Sequence, residues 1–385
     1  MKILLVGNYQ YDGSTSMQIW AHALERELLG LGIETRLITP LPVFGRFKPS
    51  PTGLGKWLGY IDRYLLFPRA LRNAVANADV VHICDHGSSM YCSTVKGKPV
   101  VVTCNDMLAV RGALGELPEM RASRFGRYLQ LWICHGLRRA TRVACISQAT
   151  FDDAARILDR REHLRVVLDA LNYPYQSLPQ GEAERRLANL AAIVKPFVFH
   201  VGSNHARKNR DGILRVFAQV AAKVDLQLVF AGEALNENLL QLARQLGIED
   251  RVIQVVKPDV SILEALYNRA LVLVFPSRYE GFGWPPIEAQ ACGCPVVASD
   301  IPPVAEVLQS SAALHALNDE AGMAASILKL AGDQDYNQQI KQLGFENVRS
   351  RFQTSRMMSE YLSLYREVFD ENKQADGRGT EWDTP

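Results

Sequence analysis

No apolar run in the 385-residue chain approaches the roughly 20 residues that a membrane-spanning helix needs. The short run at 3–6, after Lys2, is too brief for the core of a secretory signal and suits a first buried strand, so the expected location is the cytoplasm. Cysteine gives no disulfide framework: the seven residues are odd in number and form no C-x-x-C pair, and they read as reduced core thiols. His82, Cys84 and His86 alternate along one candidate strand, but no fourth ligand accompanies them and no metal is assigned. After that first strand Gly7 and Gly13 enclose five residues, which is not G-x-G-x-x-G and argues against a nicotinamide enzyme. No nucleic-acid module is present, and no strong charge of one sign, since the net charge is only +2. A content of 48% hydrophobic and 22% charged residues describes an ordinary globular chain, long enough for two domains.

Charge is nevertheless uneven: residues 1–187 carry +7 and the remainder −5. The stretch 111–142 holds seven Arg against two Glu, interleaved with Phe125, Tyr128 and Trp132. Such a face suits an anionic substrate or membrane surface, although a solvated helix whose Arg stems cover apolar area has the same composition. Apolar runs of four to seven residues alternate with helical periodicity, the pattern of parallel α/β layers. Strands are expected at 2–7, 34–38, 80–84, 100–104, 143–146 and 164–167, then at 197–202, 227–231, 252–256, 271–275 and 296–299. The rhythm restarts after a polar segment, which predicts an acceptor-side domain at 1–180 and a donor-binding domain at 181–352. A docking helix is expected at 353–370 and a disordered tail at 371–385. The Pro-, Gly- and Phe-rich stretch 40–58 reads as a long functional loop facing an acceptor or a membrane.

The chemistry concentrates in Glu280-Gly281-Phe282-Gly283-Trp284-Pro285-Pro286-Ile287-Glu288. A strand is followed by a glycine loop and then a proline-marked helix start, so the backbone N–H groups of Phe282, Gly283 and Trp284 can meet an anion. Carboxylates repel phosphate, so Glu280 and Glu288 beside that cradle point instead to sugar hydroxyls, which a nucleotide sugar offers at both ends of its diphosphate. Glu288 alone would equally complement a helix dipole. At another strand end Ser203, Arg207 and Lys208 precede a helix and supply positive charge suited to a leaving diphosphate. Gly13, ahead of Ser14 and Thr15, offers a weaker phosphate approach in the first half.

These segments resemble glycosyltransferase family 4. Glu280 to Glu288 matches its E-x7-E signature in the form EGFGxPPxEAxACGxPVVAS, and 202–209 is similar to its VGxxxxRKN element. The resemblance implies the GT-B fold: α/β, with two doubly wound Rossmann-like domains facing across a cleft and a C-terminal helix returning to the N-terminal domain. It implies a retaining, metal-independent hexosyltransferase without cofactor, using a GDP- or UDP-sugar and a saccharide or lipid-linked acceptor in cell-surface polysaccharide or glycoconjugate synthesis. Glu280 would contact the transferred sugar, Glu288 the ribose, and Arg207 with Lys208 the diphosphate. The family often carries His in a T-x-H-D element where this chain reads Thr103-Cys104-Asn105-Asp106. Asn105 cannot titrate, so His86, in Asp85-His86-Gly87, is a candidate substitute. Asp85, His86 and Asp106 are placed on the acceptor side. The alternative is a nucleotide-sugar-binding scaffold with a degenerate site. An epimerase or phosphorylase fits less well, because no lysine suggests a pyridoxal site. A monomer or homodimer, peripheral on the inner membrane face, completes the expectation.

Overall fold

Val-, Ile- and Leu-rich runs buried on both faces form two six-stranded parallel sheets in the computed structural model, which describes residues 1–375 and 377. The first unit contains β1 (Lys2–Val6), β2 (Glu34–Ile38), β3 (Val80–Ile83), β4 (Val100–Cys104), β5 (Arg142–Cys145) and β6 (Leu164–Val166) in the order β2-β1-β3-β4-β5-β6. The register sets Leu4 beside both Arg36 and Val81. Leu4, Val6, Val81, Val102 and Val143 meet Leu71, Leu137 and Leu158 from the covering helices in one core. The second unit contains β7 (Phe197–Gly202), β8 (Gln227–Gly232), β9 (Val252–Val256), β10 (Val272–Phe275), β11 (Val296–Ser299) and β12 (Ala313–His315) in the order β12-β11-β10-β7-β8-β9. Its core joins Val198, Leu228, Phe230 and Val274 to Ile213, Phe217 and Val220 of the helix Arg210–Ala221.

Strand order reverses beside β1 and β3 in one unit and beside β7 and β10 in the other. Parallel sheets of this kind open a ligand crevice at the carboxyl end of such strands. Asn8 and Asp85 follow the first pair, and Ser203 and Pro276 the second.

Several boundaries differ from those expected. The units divide at Asn172/Tyr173 rather than near 180, and the chain returns to the first unit at Thr354. The reason is hydrogen bonding: Gln176 N–H donates to Glu264, Leu178 N–H to Asn268 and Arg186 to Glu264, so this polar segment is fastened to the helix Val260–Arg269. The helix Thr354–Ala375 runs past the expected start of the tail at 371, and residues 376 and 378–385 lie outside the described residues. Sequence periodicity misses β12, a three-residue, half-buried strand with too little apolar pattern to register. The stretch 40–58 is not a simple loop: it contains a 3-10 turn at Gly45–Phe47 and enters the helix Gly53–Ile61. A wide turn at Asp62–Leu66 follows, then the helix Phe67–Val75. Pro68 has no N–H to offer the Tyr64 carbonyl, which accounts for the widened turn.

Candidate active site

Lysine and arginine at the end of β7 converge on one carboxylate. Arg207 Nη1 donates to Glu280 Oε2 at 2.6 Å and Lys208 Nζ to Glu280 Oε1 at 2.5 Å. Burial opposes ionisation of Glu280, but Lys208 and then Arg207 outweigh it and hold the carboxyl below its usual value. Burial lowers Lys208, with Glu280 countering, and its ammonium also lies 4.8 Å from the Phe275 ring centroid. Local backbone geometry sets the pair in place. Asn209 adopts a left-handed conformation, φ 52°, and its side chain donates to Pro276 O at 3.1 Å, tying the β7 turn to the β10 turn. Arg278 N–H donates to Arg207 O at 2.7 Å across the same junction. The sequence assigns Glu280 and the two cations to different parts of a ligand; the fold brings all three into one cluster.

Beyond Glu280, Gly283 takes φ 118° and admits the helix Trp284–Ala291. Pro285 and Pro286 lack N–H groups, whereas those of Phe282, Gly283 and Trp284 are backbone donors at this helix start. Phe282 is buried against Phe352, with ring centroids 5.8 Å apart, and anchors the loop. Trp284 Nε1 is buried with no hydrogen-bond partner among the described residues, a donor left for a bound group. Glu288 is buried on the same helix and accepts from Tyr267 O–H at 2.8 Å. Ser203 Oγ accepts a long contact, 3.4 Å, from His205 N–H.

In the first unit Asp85 is the hub. It accepts from Asn8 Nδ2 at 2.6 Å, Asn105 Nδ2 at 3.2 Å and Gly87 N–H at 3.1 Å. His86 Nδ1 lies 3.2 Å from Asp85 Oδ1 and 3.4 Å from Asn105 N. Burial disfavours the imidazolium, yet Asp85, through its hydrogen bond and its charge, and then Asp106 favour it and hold it above its ordinary value, while the Cys104 thiol, pushed up by Cys145 and burial, stays neutral. A protonated Nδ1 donates to Asp85, and the longer Asn105 contact is then a close approach only. The fold therefore sets Asn105 next to a buried cation. Asp106 has a separate task, accepting Leu108 N–H at 2.8 Å at the start of the helix Leu108–Leu114. Gly13 has φ 81°, but Asp12 Oδ1 already accepts the following Ser14 N–H at 2.8 Å, so a carboxylate occupies that helix start. His82 has both ring nitrogens engaged, by Tyr365 and Thr103, and among the described residues no cluster of His, Cys, Asp and Glu suits a metal.

A pocket of about 190 Å³ lies beside β1, lined by Tyr9, Asp12, Lys56, Tyr60 and Arg63 among others. Sequence reading misses it because its parts lie about fifty residues apart. Buried Asp62 holds it together, accepting Tyr9 O–H at 2.8 Å and the N–H groups of Phe44 and Gly45 at 2.9 Å each. A Cβ on Gly45 would stand 1.8 Å from Tyr9 Oη, so the turn needs glycine. Sequence reading also misses Arg210, which is buried and ties Asn204 Oδ1 and Glu233 O together at 2.7 and 2.8 Å. The run Arg207-Lys208-Asn209-Arg210 holds that third cation as its only signal.

Two doubly wound sheets, one bearing paired cations and carboxylates at its switch point, define a glycosyltransferase of the GT-B type. Residues 17–169 match the family model described as glycosyltransferase family 4, and residues 186–346 the model described as glycosyl transferases group 1. The chain belongs to glycosyltransferase family 4. It is similar to N-acetyl-alpha-D-glucosaminyl L-malate synthase of Bacillus anthracis, 24% identical over 62% of this chain and 62% of the relative. It is also similar to O-antigen chain mannosyltransferase B of Escherichia coli, 26% identical over 74% of this chain and 77% of the relative. The match thus spans less than two thirds of the first relative's length. Among solved structures, Anabaena HepE in complex with UDP and glucose superposes with a TM-score of 0.72 over 94% of this chain and 99% of that chain, at 19% identity. No described helix is long and apolar enough to cross a membrane.

Proposed function

We propose that the chain is a retaining hexosyltransferase that moves a sugar from a nucleoside diphosphate to a hydroxyl of a saccharide or lipid-linked acceptor, without metal or cofactor. The observation that carries this reading is Glu280 held between Arg207 and Lys208 at a topological switch point. The second unit, Tyr173–Gln353, serves as the donor side, with Glu288 toward the ribose and the N–H groups of Phe282, Gly283 and Trp284, along with Ser203, toward the diphosphate or sugar. As the bond between the anomeric carbon and the diphosphate breaks, negative charge grows on the leaving oxygen and meets the two cations. That oxygen takes the acceptor proton, the acceptor oxygen joins the same face of the sugar, and no separate strong base is required. Diphosphate competes with Glu280 for Arg207 and Lys208, so donor binding frees the carboxylate to accept from sugar hydroxyls. The first unit, in its residues 1–172, serves as the acceptor side: Asp85 and Asp106 orient hydroxyls, and the His86 imidazolium beside Asn105 supplies the positive group that a histidine at 105 would bring. Relatives support the donor and pathway classes. HepE is solved with UDP, and the E. coli relative is an O-antigen mannosyltransferase, which leaves UDP- and GDP-sugars as the donors to test for surface polysaccharide synthesis.

Thermal denaturation against UDP-, GDP- and ADP-sugars tests the donor site. A ligand at 100 times its dissociation constant adds about 2.7 kcal/mol, a shift of roughly 5–11 °C for units of this size. A shift with one base, followed by label transfer to an acceptor extract, is expected. No shift with any donor would remove the reading, and binding without transfer would favour the non-catalytic scaffold that Asn105 suggests.

A further inference from the structure

The helix Arg124–Arg139 buries Ile133, Cys134, Gly136 and Leu137, and Gly136 approaches the first unit so closely that a Cβ would stand 2.2 Å from Ser89 O. Its outer side leaves Phe125, Tyr128, Leu131 and Trp132 in solvent, Tyr128 at 74%. The 40–66 segment meets that side edge to edge. Ring centroids of Trp57 and Phe125 lie 5.2 Å apart, of Tyr60 and Phe125 5.8 Å, and of Tyr64 and Trp132 5.3 Å. The same segment exposes Phe47 and Leu65 at 72% each. Isolated exposed apolar residues need no explanation, but a connected aromatic patch marks an interaction surface.

The surrounding charge identifies the partner. Residues 40–75 contain six Lys or Arg and a single acid, the buried Asp62; residues 121–142 contain six Arg and no acid. Among the described residues no carboxylate forms an ion pair with Arg46, Lys48, Lys56, Arg121, Arg124 or Arg127, whereas Arg111 and Arg156 on neighbouring helices are fully paired with Glu116 and Asp153. Trp and Tyr bodies suit the headgroup level of a bilayer, and unpaired cations around them attract anionic lipid. We infer that this face seats the protein on an anionic bilayer. Lys56 and Tyr60 belong both to the face and to the wall of the pocket beside β1, where Arg63 is largely buried, its Nε has no partner and Asp12 is the facing acid. On the transferase reading above, that continuity makes the acceptor a lipid-borne one with an anionic head, entering from the membrane side.

Flotation of the full chain, without nucleotide, tests the docking. The vesicles are phosphatidylcholine alone or in equal parts with phosphatidylglycerol, at low and at high salt. The expected result is recovery with the anionic vesicles at low salt and release at high salt, with none on phosphatidylcholine alone. Arg124→Gln with Arg127→Gln should lower vesicle partitioning by about tenfold or more, and Trp57→Ser with Tyr128→Ser should abolish it. Wild type left unbound at low salt would overturn the inference and point to an acidic protein partner instead. An aromatic variant or an Arg variant floating like wild type would overturn it too, as would equal recovery on neutral vesicles. Tyr128 is 74% exposed and its ring packs on no other ring among the described residues, so a lowered partitioning in Tyr128→Ser alone, with an unchanged melting temperature, separates lost docking from lost folding. Donor-induced melting shifts do not depend on vesicles, so failure here is distinguishable from failure of the donor reading.

Discussion

Replacing Glu280 with glutamine should tighten binding of free nucleoside diphosphate while abolishing sugar transfer. In the free protein each carboxylate oxygen holds one cation, at 2.6 and 2.5 Å, inside a side chain only 8% exposed. A diphosphate drawn to Arg207 and Lys208 must displace those bonds and then stand near the same negative charge. Two unit charges about 5 Å apart at an effective dielectric constant near 20 interact by roughly 3 kcal/mol. With screening and the lost geometry, a net gain of about 1–2 kcal/mol is reasonable, or roughly 5- to 30-fold in the dissociation constant. Glutamine keeps shape and one acceptor, but leaves the buried Lys208 and the half-buried Arg207 less well paired. Breaking a buried pair costs on the order of 3–5 kcal/mol, so the melting temperature of the variant should fall and diphosphate should restore much of it. Titration calorimetry with UDP and GDP, run beside label transfer from the matching sugar nucleotide, measures both arms. Weaker diphosphate binding in a folded variant, or undiminished transfer, would refute the competition.

Other outcomes follow from the same contacts. Asn105→Ala should reduce transfer and leave nucleotide affinity unchanged, because Asn105 bonds Asp85 in the first unit; a matching loss of nucleotide affinity would contradict this. Tyr365→Phe removes a hydroxyl 2.6 Å from His82 Nδ1 in a wholly buried chain that continues through Thr103 to Tyr361, and should cost about 1–3 kcal/mol in urea unfolding. Burial lowers both His82 and His200 to about 3. Between pH 6.5 and 3 the unfolded chain therefore binds protons that the folded chain does not, and stability falls with pH by up to about 1.4 kcal/mol per unit per histidine. Asp169, raised by burial to about 7, takes up its proton on folding and opposes His82 in the first unit. His163, also lowered by burial, adds to His82 in the first unit; in the second unit acidification from pH 6.5 to 5 should destabilise through His200, and His200→Gln should flatten that dependence in scanning calorimetry. Gly45→Ala should lower the melting temperature and disrupt the pocket beside β1, since the added Cβ would overlap Tyr9 Oη; an unchanged melt would mean that the turn shifts freely.

Strand and helix alternation, the two parallel sheets and the family were legible in the chain itself, because period and composition record burial locally. Buried runs such as 197–202 and 272–275 read as strands, and Glu280 to Glu288 carries its own spacing. The tertiary structure alone decided what those residues touch. Sequence separation hides that Glu280 closes onto Arg207 and Lys208, over seventy residues away, and that Asp62 ties the Phe44–Gly45 turn to Tyr9 in the wall of the pocket beside β1. It also hides that Trp57 meets Phe125, joining two separately basic segments into one face. Periodicity states which side of an element is buried, whereas pairing of side chains across elements depends on strand order and turn geometry, which no local pattern contains.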